Sequence, residues 1–291
     1  MDLVVGATGI LGAETCRLLR ARGRQVKALV RESTDPAKLA QLSALGVQLV
    51  HGDLKHPQSL RDACRGIENV VTTASATLSR AAGDSIDTVD GRGTVDLIAA
   101  ATGAGVRHFV LTSFAPIALE FPLQRVKREA ERALSEGSMP WTVLQPSHFL
   151  EIWFSPALGF DAAHGKARVL GTGSRPMHWV SYTDVARVAV AVLEAGPQQR
   201  ALTFGGPAAL SQRDVIALCE RAAGRPFELE EVPEAALRAQ YASVDALEQS
   251  FAGLMLCCST GEPQQLDNAC LRAILTEPLT SAETFAKSVV R

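Results

Sequence analysis

The first twelve residues constrain the fold of this chain most. A short apolar run, Leu3 to Val5, leads into a tight turn and then a helical pattern. Three glycines stand at intervals of three: Gly6, Gly9 and Gly12. In such a strand–turn–helix unit the first glycine turns the chain, the second lets the backbone approach a pyrophosphate, and the third permits close helix–strand packing. Because the helix N-terminus also attracts anions, the segment predicts a bound dinucleotide.

Strands and helices continue to alternate as far as residue 145. The predicted strands cover 25–30, 47–51, 69–72, 106–112 and 141–144, and the predicted helices cover 36–45, 57–64, 94–102 and 124–134. Strands and helices at this spacing form βαβ units. We therefore predict an α/β fold with a Rossmann-like, doubly wound parallel sheet.

Beyond this point the pattern loosens, and residues 148–173 are rich in aromatic side chains, proline and glycine. The predicted elements that follow are a strand and an amphipathic helix over 179–194, a strand over 202–204 and a helix over 211–223, with a mostly helical remainder. We predict an NADP-binding Rossmann domain over 1–145 and a smaller C-terminal α/β substrate lobe over 146–291, which shares some elements with the first domain. A ligand belongs in the cleft between them.

Composition excludes several classes of function. The 291 residues are 47% hydrophobic and carry a net charge of −2, so no basic surface points to nucleic acid. No apolar run approaches the roughly 18 residues of a membrane span, and a strand begins where a signal peptide would lie. The six cysteines and six histidines show no metal-binding spacing. We expect a cytoplasmic monomer or homodimer that binds a small-molecule substrate and neither metal, membrane nor nucleic acid.

The residue after the second strand favours NADP(H) as the cofactor. A site that prefers NAD usually has Asp or Glu there, whereas this chain has Arg31. A guanidinium group can pair with the 2′-phosphate of NADP and stack on adenine. Glu32, the next residue, weakly favours NAD. The alternative for Arg31 is a solvated surface arginine that contacts no cofactor. Asp53, after the third strand, can accept a hydrogen bond from the adenine amino group or merely cap the following turn.

Several segments resemble the NmrA-like family of atypical short-chain dehydrogenases/reductases. They are Gly-Ala-Thr-Gly-Ile-Leu-Gly at 6–12, the segments 29–31, 52–54 and 105–110, Lys127-x-x-x-Glu131, and the segments 141–149 and 180–186. The resemblance covers nearly all of residues 1–225 and implies the fold and NADP(H). It leaves the function open, because the group contains reductases of quinones, isoflavone-like phenolics and lignan precursors as well as proteins that bind NADP and only sense redox state.

The catalytic tyrosine of the wider superfamily is absent. Ordinary members use a Tyr-x-x-x-Lys pair and a serine, in which the tyrosine is the general acid and the lysine lowers its pKa and holds the ribose. Here Leu123 stands four residues before Lys127. The resemblance implies that Lys127 contacts the nicotinamide ribose and donates a proton. The alternative is a basic residue on a solvated helix face.

Two further side chains follow strands at the predicted cleft. Ser113, after the fifth strand, can hydrogen-bond a carbonyl substrate or cap the strand end. His148, after the sixth, can act as an acid or a substrate ligand at neutral pH, or serve a structural role. Aromatic residues nearby either wall a flat substrate or belong to the core of the second lobe: Phe149, Trp153, Phe154 and Trp179.

The candidate site therefore has two parts. The predicted catalytic residues are Lys127, Ser113 and His148. The predicted cofactor-binding residues are Gly6, Thr8, Gly9, Ile10, Leu11, Gly12, Arg31, Asp53, Leu54, Thr73, Ala74, Ser75, Lys127 and Pro146.

These residues favour an NADPH-dependent reductase that transfers hydride to a small planar acceptor such as a quinone, an enone or a related carbonyl compound. The alternative is a catalytically weak NADP(H)-binding redox sensor that acts through a protein partner, which the missing tyrosine favours. A sugar-nucleotide epimerase or dehydratase ranks last, because those enzymes normally need the Tyr-x-x-x-Lys pair.

Overall fold

A computed structural model of the chain describes residues 1–79, 81–260 and 264–290. Within these residues the strands are β1 (Asp2–Val5), β2 (Val26–Val30), β3 (Gln48–His51), β4 (Asn69–Thr72), β5 (His108–Thr112), β6 (Trp141–Pro146), β7 (Phe160–Asp161), β8 (Lys166–Leu170), β9 (Ala201–Phe204) and β10 (Glu228–Val232). A main parallel sheet has the order β3-β2-β1-β4-β5-β6-β9, and a small sheet has the order β10-β8-β7. The predicted α/β fold with a doubly wound parallel sheet is confirmed.

Helices cover both faces of the main sheet. They are α1 (Ile10–Ala21), α2 (Pro36–Ala44), α3 (Pro57–Ala63), α4 (Thr94–Gly103), α5 (Pro122–Ser135), α6 (Leu150–Trp153), α7 (Tyr182–Ala195), α8 (Gln212–Ala223), α9 (Glu234–Tyr241), α10 (Ala246–Ser259) and α11 (Ala282–Val289). A π-helical segment, Ile86–Gly93, runs directly into α4. No helix of the described residues is long and apolar enough to cross a membrane.

The central strands are apolar on both faces, as a covered parallel sheet requires. All residues of β1 and β5 are buried. Successive side chains point to opposite faces, so Val4 packs in the hydrophobic cluster of α1 and α7, and Leu3 packs in the cluster of α3, α4 and α5. Two separate hydrophobic layers therefore hold the sheet from either side.

The small sheet forms the core of a second region. β10 pairs with β8 in parallel and β7 with β8 antiparallel, and a hydrophobic cluster joins this sheet to α8, α10 and α11. The strand predicted around residue 179 is reduced to two isolated bridges, Phe149 with Val180 and Met177 with Leu210. β10 lies where a mostly helical remainder was predicted. The strand was missed because its Glu-rich sequence has no apolar alternation.

The division of the chain at residue 145 stays a prediction. Two elements from beyond it complete the main sheet's layers: β9 pairs in parallel with β6, and α7 packs against α1. After β7 and β8 the chain therefore returns to the main sheet and its helices.

Candidate active site

The described residues form two adjoining pockets along the carboxyl edge of the main sheet. We call them the nucleotide pocket, about 250 Å³ beside β1, β2 and β3, and the acceptor pocket, about 300 Å³ beside β5 and β6. Gly9, Thr73 and Ser75 line both, so the two pockets make one cleft. The cleft lies where the strand order reverses between β1 and β4, which is the usual ligand position in open α/β sheets.

Every residue predicted for the site lines this cleft. The nucleotide pocket contains Gly6, Thr8, Gly9, Arg31, Asp53, Leu54, Thr73, Ala74 and Ser75, and the acceptor pocket contains Gly9, Ile10, Leu11, Gly12, Thr73, Ser75, Ser113, Lys127, Pro146 and His148. Their individual roles stay predictions.

The glycine turn has the geometry that a bound pyrophosphate needs. Gly6 has φ +84°, and a Cβ on Gly12 would lie 2.2 Å from the Gly6 carbonyl oxygen, so only glycine fits there. A Cβ on Gly9 would meet nothing closer than 3.4 Å. In the described structure no side chain caps α1 at Gly9, so the first-turn N–H groups are left for a ligand. This turn therefore fits a dinucleotide.

Arg31 lies at the far end of the nucleotide pocket and is paired with a carboxylate. Its Nη1 donates to Asp84 Oδ2 at 2.5 Å. Asp84 also accepts hydrogen bonds from Lys55 Nζ and the Ser79 hydroxyl. Burial raises the pKa of Asp84, but the bonds from Lys55, Ser79 and Arg31 outweigh it and hold the pKa below its usual value. Sequence reasoning missed Asp84, because nothing in the polar stretch around it indicates a partner.

The two other carboxylates near this end are placed differently. Asp53 accepts a hydrogen bond from the Lys55 backbone N–H at 2.9 Å, so it caps the following turn while lining the pocket. Glu32 is 86% exposed and contacts His51 at 3.1 Å. It is therefore largely solvated and is not among the residues that line the described nucleotide pocket.

Lys127 is buried, so the solvated-face alternative for it is wrong. Its side chain is 6% exposed, and Nζ lies 3.0 Å from Oδ1 of the fully buried Asp90. Nζ also donates to the Ala74 carbonyl at 3.4 Å, and Asp90 Oδ2 accepts from the Ala76 N–H at 2.8 Å. The π-helical segment brings Asp90 to the cleft, and no sequence signal singled it out. Leu123 lines the acceptor pocket one turn before Lys127.

Three buried polar atoms of the acceptor pocket lack a hydrogen-bond partner among the described residues: Thr112 Oγ1, Ser113 Oγ and His148 Nε2. Leaving such an atom unpaired costs about 1–3 kcal/mol, so these groups are suited to a ligand. The Ser113 hydroxyl does not cap its strand, because only the Ser113 backbone N–H bonds there, to Leu144 O at 2.8 Å.

His148 is uncharged near pH 7. Burial lowers its pKa to about 4, a hydrogen bond to the Leu254 backbone raises it, and the charge of Arg175 lowers it further. Its ring packs against Trp153 with centroids 4.8 Å apart. Of the roles predicted for His148, this environment favours the substrate ligand over an acid that titrates at neutral pH.

The remaining walls of the acceptor pocket are apolar. Phe149 and Trp153 line it, whereas Phe154 and Trp179 stack edge-on in the core of the second region, with centroids 5.1 Å apart. Phe251 and Leu254 of α10 also line the pocket. These α10 residues were missed, since their apolar spacing is that of any buried helix.

A comparison with protein-family models matches residues 3–273 to the NmrA-like family. The chain belongs to this family. It is 36% identical to the NAD(P)H azoreductase of Xenophilus azovorans over 229 aligned residues. The aligned region covers 78% of this chain and 75% of that protein. It is 32% identical over 246 residues to a photosystem II assembly factor of Synechocystis sp., which covers 81% of this chain and 72% of that protein.

A solved structure of a Citrobacter sp. triphenylmethane reductase complexed with NADP(H) has the same fold. The TM-score is 0.79 at 20% identity, over 99% of this chain and 100% of that one. Together with the azoreductase named for NAD(P)H, this neighbour bears out the prediction of NADP(H) as the cofactor. The NmrA-like fold thus occurs both in reductases and in a protein named as an assembly factor.

Proposed function

We propose that this protein is an NADPH-dependent reductase that delivers a hydride to a small planar acceptor, such as a quinone, an enone or a related carbonyl compound. The observation that carries the proposal is the continuity of the cleft: an apolar, aromatic-walled pocket opens beside the glycine turn that fits a dinucleotide. The apolar walls suit a flat ring, and the hydroxyls of Thr112 and Ser113 offer hydrogen bonds to its oxygen.

The nucleotide pocket would hold the cofactor through the turn at Gly6–Gly12 and through Arg31, which suits the 2′-phosphate. When bound, NADPH supplies the hydride, which side chains cannot supply. Lys127 orients the nicotinamide end. An ammonium group has three N–H donors. Among the described contacts Lys127 donates one hydrogen bond, to the Ala74 carbonyl, and its Nζ lies 3.0 Å from Asp90 Oδ1 without a hydrogen bond to that atom. A further N–H is therefore available to a ribose hydroxyl.

Reduction of a carbonyl also requires a proton at its oxygen. The Ser113 hydroxyl would donate a hydrogen bond to that oxygen, which favours negative charge as it develops there. The ring N–H of neutral His148 already bonds to the Leu254 backbone, so its Nε2 would accept a hydrogen bond from a hydroxyl of the substrate. Lys127 is the one charged side chain that lines the acceptor pocket within the described chain, so its ammonium group is the proton source. Lys127 then takes the part of the absent tyrosine.

The decisive experiment measures NADPH oxidation with a panel of quinones, enones and aldehydes, for wild type and Lys127→Met. We expect turnover with one acceptor class and a roughly hundredfold lower kcat in the variant, the scale of general acid catalysis. Lys166→Met is the matched control, because Lys166 is exposed on the small sheet and pairs only weakly with Glu228 at 3.6 Å. Equal kcat in Lys127→Met and wild type would contradict the proposed role of Lys127.

A redox sensor that acts through a protein partner is the second candidate. Leu123 at the tyrosine position favours it, as does the relative named as an assembly factor. Tight NADPH binding without turnover across the panel, together with a different protease-cleavage pattern for the NADP⁺ and NADPH complexes, would replace the reductase proposal with this one.

A further inference from the structure

The adenosine end of the nucleotide pocket contains an internal ion cluster, which we define as Arg31, Lys55 and Asp84. Asp84 lines the pocket with a side chain that is only 3% exposed, and both cations bond to its carboxylate. The Ser79 hydroxyl donates to the same carboxylate. Asp84 is therefore a buried anion beside the guanidinium group that suits the phosphate of NADP.

The charges of this cluster bear directly on the choice of cofactor. Arg31 and Lys55 carry two positive charges, and Asp84 pairs with both. Asp53 also lies 3.5 Å from Lys55 Nζ, so Lys55 has two acidic neighbours. Asp84 is the described counter-charge of Arg31. NADPH adds a 2′-phosphate that is close to doubly negative, whereas NADH presents a neutral 2′-hydroxyl at the same position. Asp84 competes with the phosphate for Arg31, which lines the pocket beside it, and can accept a hydrogen bond from the hydroxyl. Its presence thus disfavours NADPH relative to NADH.

We propose that Asp84 is a specificity-determining residue that limits the preference of this site for NADPH over NADH by serving as the internal counter-ion of Arg31 and Lys55. The inference rests on the proposed position of the 2′-phosphate at Arg31. It assigns to Asp84 a function separate from hydride transfer. A carboxylate that neutralises a cation at short range weakens the attraction of that cation for a second anion. Salt screens this effect where the groups are partly exposed.

The test measures dissociation constants for NADPH and NADH by calorimetry, with wild type and Asp84→Asn. We expect the variant to bind NADPH roughly five- to tenfold more tightly, with NADH affinity unchanged or weaker. Its NADPH affinity should also fall more steeply between low and high salt, because Arg31 is no longer neutralised internally. Asp87→Asn is the matched control: Asp87 is exposed, pairs with Arg92 and does not line the described pocket.

Two outcomes would overturn the inference. An unchanged ratio of the two constants would mean that Asp84 does not influence specificity. A selective loss of NADPH binding would mean that Asp84 instead positions Arg31 for the phosphate. Thermal melting establishes that each variant is folded. If Asp84→Asn does not fold, Asp84→Ser and Lys55→Gln test the same cluster, with the ratio expected to rise in the first and fall in the second.

Arg31→Gln separates this inference from the proposed position of the phosphate. A collapse of the NADPH preference in Arg31→Gln, with no change in Asp84→Asn, would overturn only the function of Asp84. An unchanged preference in Arg31→Gln would instead show that the phosphate does not bind at Arg31. Both readouts are binding constants, so they do not depend on whether the protein turns over an acceptor.

Discussion

The two pockets of the cleft differ in how their polar groups are paired. At the nucleotide pocket Asp84 forms ion pairs with Arg31, which lines the pocket, and with Lys55. In the acceptor pocket the walls are apolar, and the described structure leaves the buried polar atoms of Ser113 and His148 without partners. The first half is stabilised by its own contacts. The second depends on a ligand for the hydrogen bonds of these atoms, so removing an unpartnered hydroxyl there should cost little stability and more activity.

The largest effect on cofactor binding is expected at the turn between the two halves. In Gly12→Ala the new Cβ would lie 2.2 Å from the Gly6 carbonyl oxygen, so the turn must open. We expect NADPH binding to be abolished and the free energy of unfolding to fall by about 1–3 kcal/mol, as measured by calorimetry and urea denaturation. Gly103→Ala is the control, since its Cβ meets nothing within 4 Å and should stabilise α4 by up to roughly 1 kcal/mol. Normal NADPH binding by Gly12→Ala would refute this account of the turn.

Asp90→Asn tests whether the buried ion pair on the acceptor side contributes more to stability than an exposed ion pair does. It leaves buried Lys127 without a counter-charge, and breaking a buried pair in this way typically costs about 3–5 kcal/mol. Urea denaturation measures the loss. Asp87→Asn removes an exposed partner from the same π-helical segment, and the cost there should stay below about 1 kcal/mol. Equal losses in the two variants would mean that burial of the Lys127–Asp90 pair is unimportant.

The buried histidines predict how stability depends on pH. His148 has a pKa of 6.5 when unfolded and about 4 when folded, chiefly because burial disfavours its charged form. Between these values the unfolded chain binds a proton that the folded protein does not, so stability is complete above pH 6.5 and falls as the pH drops toward 4. The loss from one such group is about 3 kcal/mol.

Denaturation of His148→Gln at several pH values between 4 and 7 checks this linkage. Part of the slope should remain, because burial also lowers the pKa of His108 to about 4. The His108 ring bonds to Thr142 at 2.9 Å outside the cleft, so His108→Gln should change the slope without affecting acceptor binding. A slope identical to wild type in His148→Gln would show that its burial does not alter its protonation.

The smallest effect on stability is expected from two buried serines of the acceptor pocket. The Ser147 hydroxyl donates to Gln264 at 2.7 Å, and Ser147→Ala should cost about 1 kcal/mol. The Ser113 hydroxyl has no described partner, so Ser113→Ala should leave the melting temperature almost unchanged. The same variant should lower kcat/KM with the preferred acceptor roughly tenfold. A clear loss of stability in Ser113→Ala would mean that its hydroxyl already has a structural role.

The sequence-based predictions were accurate for elements that depend on neighbouring residues and failed for an element that depends on contacts distant in the sequence. β4 was predicted with its observed ends, Asn69 and Thr72. A strand buried on both faces has a continuous apolar run, which is visible in its own sequence. The helix over 211–223 was also predicted, and the Ser211 hydroxyl at its start accepts from the Asp214 N–H in a capping box. β10 was not predicted, because an exposed Glu-rich strand is stabilised by its pairing with β8 and not by its own pattern.

The amino-acid sequence by itself determined the glycine turn, the alternation of strands and helices, and the identity of Arg31 and Lys127 as cations at strand ends and on a helix. These features depend on backbone conformation and side-chain periodicity within a few residues. Only the tertiary structure decided that Asp84 faces Arg31 and that Asp90 faces Lys127. Each pair joins distant segments, and electrostatic pairing depends on distance in space, which no local pattern encodes.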